Sequence, residues 1–147
     1  GEISVDGDSL QDSGVQISEM SSGCICCSPV GDFGKGVARV NAAVDEFFLS
    51  LGYRHDREHC RYEIVEPSNQ RVALFAHQGF GMCFFSSMLD IPYPEFATHF
   101  DFTHSSMSVI HFGQNGKYVY PKVLQVSGDG HLYREGLMAG YNNYYKF

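Results

Sequence analysis

The stretch Arg71-Val-Ala-Leu-Phe-Ala-His77-Gln-Gly-Phe-Gly81 constrains the fold of this chain more than any other. Val72 to Ala76 is an unbroken apolar run of strand length, the pattern of a central strand covered on both faces. His77 and Gln78 then place polar groups at its C-terminal end, and Gly79 and Gly81 permit a tight turn and a close backbone approach. Phe80 to Leu89 reads as the helix that follows. Open α/β sheets bind ligands where a strand's C-terminal edge meets a helix N-terminus, and the free N–H groups of the first turn favour an anion. The pattern predicts an α/β chain, layered α/β/α with a mixed sheet. It makes His77, Gln78, Gly79, Phe80 and Gly81 candidate phosphate-binding positions, with His77 the candidate catalytic residue. The alternative for His77 is a strand-end histidine hydrogen-bonded locally.

At 147 residues the chain reads as one domain, large enough to bury a core. A net charge of −7 excludes the basic surface a nucleic-acid binder needs. It leaves room for a small phosphorylated ligand or inorganic phosphate, which requires only a local positive site. No apolar run approaches the roughly 18 residues of a membrane-spanning helix. The acidic start, Gly1-Glu-Ile-Ser-Val-Asp6, is unlike a signal peptide, so a cytoplasmic setting is expected. Oligomeric state leaves no mark in the sequence.

Five cysteines are a poor disulfide framework, and three of them, Cys24, Cys26 and Cys27, fall within four positions. Such a cluster gathers soft thiolate donors without help from distant parts of the fold. Zinc suits these donors, with a fourth ligand from elsewhere or from water. The alternative is that they are small packing residues in a tight loop. His55, His59 and Cys60, in the polar segment Tyr53–Arg61, are the further ligands that could join them.

Around these motifs the elements read as follows. Ile3 with Val5, and Val15 with Ile17, alternate with polar neighbours like short strands. Residues 31–52 form a helix with Val37, Val40, Val44, Phe47, Phe48 and Leu51 on one stripe and Asp45 off it, ended by Gly52. Tyr62–Val65 is a short strand expected to pair antiparallel with residues 72–76. Ile91-Pro-Tyr-Pro-Glu95 stops the apolar helix and starts a helical turn. Ser105–Phe112 reads as a strand, Gly113–Gly116 as a hairpin turn, and Tyr118–Val126 as a strand interrupted at Pro121. Ser127–Leu132 reads as a loop.

Two resemblances overlay this reading. Gly1-Glu-Ile-Ser-Val-Asp-Gly-Asp8, Ile17-Ser-Glu-Met-Ser-Ser-Gly-Cys-Ile-Cys-Cys-Ser28 and Gly31-Asp-Phe33 resemble a segment of the CobW-type metal-chaperone GTPases, over residues 1–36. The resemblance implies transition-metal binding by Cys24, Cys26 and Cys27. No G-x-x-x-x-G-K-[ST] phosphate loop occurs within the 147 residues, so it does not carry GTP hydrolysis with it.

Residues 37–137 resemble the C-terminal half of the histidine phosphatase superfamily, with its phosphoglycerate-mutase-like fold. The motifs are Val72-Ala-Leu-Phe-Ala-His-Gln-Gly-Phe-Gly81, Ile91-Pro-Tyr-Pro94, Thr103-His-Ser105 and Ser127-Gly-Asp-Gly-His-Leu132, in that order. The resemblance implies a partial phosphoglycerate-mutase-like topology and makes His77 the second catalytic histidine, which contacts the transferred phosphoryl group. It brings His131, in the closing segment, toward the same phosphate; His104, near a strand end, is a further candidate by position, and the alternative for both is a surface or packing histidine. The Arg-His-Gly motif that supplies the family's phosphorylated histidine is absent, and Arg54-His55 is followed by Asp56. A two-step mechanism through a phosphohistidine needs that nucleophile. The implied function is therefore a phosphate-binding domain without efficient turnover. The alternatives are zinc binding at the cysteine cluster and a ligand-free scaffold. Segments 1–36 and 37–147 of one domain resemble different families. The chain is thus a recombined fusion, a natural degenerate member, or a fuller protein with segments omitted.

Overall fold

A computed structural model describes residues 33–141. The elements are α1 (Phe33–Ser50), β1 (Tyr53–Asp56), a 3-10 turn (Arg57–His59), β2 (Arg61–Ile64), α2 (Gln78–Met88), α3 (Tyr93–His99), β3 (Met107–His111), β4 (Tyr118–Val119), β5 (Lys122–Gly128) and α4 (Gly130–Arg134). Helices and sheets combine as the α/β class predicts. The expected strand-like residues 1–20 and the cysteine cluster lie outside the described residues.

α1 forms where the apolar stripe predicts. Val40, Val44, Phe47 and Phe48 are buried along it. Gly52 stops it with φ +91°, and a Cβ there would stand 2.1 Å from the Glu66 carbonyl oxygen. That carbonyl lies close because the backbone N–H groups of Val65 and Glu66 both donate to the Gly52 carbonyl. Glycine alone accommodates both the dihedral and the approach.

β1, β2 and β4 form one antiparallel sheet with β2 in the middle, and β3 pairs with β5 in a second antiparallel sheet. Every ladder among the described residues is antiparallel, so the parallel pairs that a mixed sheet requires are not found there. The segment Tyr53–Arg61, expected as a polar loop, supplies β1 and the turn into β2. Its register sets Tyr53 opposite Ile64 and Asp56 opposite Arg61.

That hairpin overturns the expectation for the 72–76 run. β2 has both edges taken, by β1 and β4, so it cannot pair with residues 72–76. These residues belong to no strand, and Phe75 is 88% exposed. Nor do the two strands around Gly113–Gly116 pair as a simple hairpin. β4 turns to β2, while β5, beyond Pro121, takes β3. The interruption at Pro121 falls where the sequence placed it, since proline cannot donate to a ladder. The loop expected at residues 127–132 contains the start of α4.

The core gathers α1, the first sheet and α2. α2 is apolar nearly all round, and every residue from Met82 to Met88 is buried. Phe48 lies at the centre of an aromatic cluster, with ring centroids 5.1 Å from Tyr62, 5.7 Å from Phe84 and 4.9 Å from Phe112. A second group joins Phe85, Phe96 and Phe102, tying α3 and the chain after it to α2. Rings of this size dominate core energetics, each buried Phe being worth about 3–5 kcal/mol when truncated to Ala.

Candidate functional site

The corner at His77 keeps one of its two expected halves. The helix is present: α2 begins at Gln78, with His77 as its N-cap in extended conformation. His77 is exposed and makes no side-chain capping bond, and its carbonyl accepts the Gly81 N–H at 2.9 Å. The strand that would present it is absent. Gln78, Gly79, Phe80 and Gly81 form its first turn, so the helix begins two residues before the expected Phe80 and takes in the glycines expected in a tight turn.

Two neighbours occupy that turn. The Gln78 side-chain amide donates to Asp101, whose carboxylate also accepts the Phe102 N–H at 2.8 Å. The Phe102 ring packs on Gly81, where a Cβ would come within 3.3 Å of it. The close approach that Gly81 allows is thus taken by an aromatic ring. Asp101 sets a negative charge beside the helix end where an anion is expected.

His131 lies exposed on α4, and its Nε2 donates to the Ser105 carbonyl at 2.8 Å. His104 is exposed, with its backbone N–H on the Gly140 carbonyl at 2.7 Å. His99 donates its Nδ1 hydrogen to the Glu95 carbonyl within α3. Thr103 is buried, and its hydroxyl has no hydrogen-bond partner.

A densely hydrogen-bonded polar group lies elsewhere and is not apparent from the sequence. His55, on β1, has a fully buried side chain. Its Nδ1 meets Asp45 of α1 at 2.8 Å and its Nε2 meets Asp90, just after α2, at 2.9 Å. The ring stacks on Tyr62, centroids 4.1 Å apart and planes 20° apart. Arg57 closes the group from the 3-10 turn. Its Nε and Nη2 grip both oxygens of Asp45 at 2.9 and 2.7 Å, and its Nη1 reaches Asp90 at 3.1 Å. It also donates to the Ser87 hydroxyl and carbonyl. Tyr62 donates its hydroxyl hydrogen to the Met88 carbonyl at 3.1 Å, and burial pushes its phenol pKa well up. These bonds tie the hairpin to α1 and α2. Both His55 nitrogens are engaged and the ring is shut from solvent, so the group is built to hold elements together and has no open position for a substrate.

This arrangement also removes His55 from the expected metal ligands, because a carboxylate occupies each ring nitrogen and the side chain is shut from solvent. His59 and Cys60 remain exposed on the turn, with His59 Nδ1 on Asp56 at 2.9 Å. Among the described residues no group of three His, Cys, Asp or Glu side chains could hold a metal ion. Cys24, Cys26 and Cys27 lie outside the described residues. No helix among the described residues is long and apolar enough to cross a membrane.

The described structure defines an α/β chain with two antiparallel sheets and a helix-bound core. A family model described as CobW/HypB/UreG, nucleotide-binding domain, matches residues 1–63. The match includes the cysteine cluster and runs on through α1 and β1 into β2, well past residue 36. No curated protein and no solved structure matches the chain. The histidine-phosphatase resemblance of residues 37–137 has no support from these comparisons.

Proposed function

We propose that this chain binds a transition metal, zinc by the chemistry of its donors, through Cys24, Cys26 and Cys27. The observation that carries the reading is the family match over residues 1–63, which contains all three cysteines. Three thiolates within four positions suit zinc, and a fourth ligand completes a tetrahedral set. His59 and Cys60 are candidates for it, since both are exposed and lie within the matched region. Nucleotide hydrolysis forms no part of the proposal, because no phosphate loop is present in these 147 residues. A cytoplasmic, reducing setting belongs to the same reading, since it keeps thiols available as ligands.

Protein purified without chelator should carry close to one zinc per chain. The triple substitution Cys24→Ser, Cys26→Ser, Cys27→Ser should abolish it while the circular dichroism of α1 and α2 persists. Elemental analysis and competition with a chromophoric chelator measure both. Absence of stoichiometric metal together with no affinity for added zinc would end the proposal.

A second reading rests on the first turn of α2. The helix starts immediately after His77, whose own side chain makes no capping bond, and a helix N-terminus favours a small phosphorylated ligand or inorganic phosphate. The partial phosphoglycerate-mutase-like topology and the placement of His131 beside that phosphate belong to this reading. Asp101 opposes an anion there, so phosphate should bind weakly, and Asp101→Asn should tighten it several-fold by isothermal titration. Without an Arg-His-Gly nucleophile, aryl phosphate should not turn over. Robust hydrolysis lost in His77→Ala would show that the chain is a working enzyme instead. Binding of neither zinc nor phosphate would leave the ligand-free scaffold, a recombined chain whose fragments keep fold but no site.

A further inference from the structure

We draw no further inference here: the strongest candidate, the segment between Arg71 and His77 that joins no sheet, with its apolar residues and exposed Phe75, is an unpartnered face, and nothing in the structure shows what covers it.

Discussion

At the scale of single residues, Asp56 shows how local partners set an electrostatic contribution. His59 and then Arg61 donate hydrogen bonds to its carboxylate, and these hold its pKa below the usual carboxylate range. A folded-state pKa below the unfolded value means the ionised form is preferred in the native state. The stabilisation is therefore complete above the ordinary carboxylate pKa, about 3.9, and is lost as the pH falls through the depressed value. Thermal melts of the wild type and Asp56→Asn should separate near neutral pH and converge on acidification. A gap of constant size at every pH would contradict the assignment. The side chains are exposed enough for salt to narrow the gap. Cys83 differs from Cys60 in the same local sense. Burial pushes the Cys83 thiol up, with a Tyr93 hydrogen bond working against it, whereas Cys60 is exposed on the hairpin turn.

At the scale of elements, the clasp made by Asp45, His55, Arg57 and Asp90 decides how the hairpin sits on the two long helices. Arg57 is its keystone because its planar fork reaches two carboxylates and the Ser87 hydroxyl at once. Arg57→Met removes those bonds and leaves Asp45 and Asp90 facing His55 with fewer donors. The expected cost is about 1–3 kcal/mol in urea unfolding, toward the lower end because the Arg57 side chain is 30% exposed. Arg57→Lys should recover little of it, since an ammonium cannot make the two parallel bonds to Asp45. Full recovery by lysine would mean that charge alone matters there. None of this is legible in the sequence. Asp45 stands on α1 off the apolar stripe, His55 sits in a polar stretch, and Asp90 follows the last turn of an apolar helix. His55 lies 10 positions from Asp45 and 35 from Asp90, and the three share no motif. The one local hint is that Asp45 lies between Val44 and Phe47 of the buried stripe on α1.

For the molecule as a whole, the sharpest difference between pattern and structure is the apolar run from Val72 to Ala76. A buried central strand would make Phe75→Ser cost about 3 kcal/mol or more. The structure leaves the ring 88% exposed, so the change should stay within about 0.5 kcal/mol. Equilibrium denaturation distinguishes the two outcomes, and a loss of several kcal/mol would restore the buried strand. The sequence by itself determined the elements whose periodicity is local. These are the α1 stripe and its glycine stop, the apolar helix after His77, and the break at Pro121. Each follows from side-chain spacing or backbone chemistry within one or two turns. It also marked the cysteine cluster, whose donors are adjacent in the chain, and the family match covers the same region. Only the tertiary structure decided which strands pair and which polar groups meet. An apolar run says that a segment is able to be buried, but burial needs a neighbour with a free edge. Here β2 gives its edges to β1 and β4. The stretch from Arg71 to Gly81 therefore keeps its helix and its histidine while losing its strand. The first turn of that helix is met by Asp101 and Phe102, a juxtaposition that no local pattern encodes.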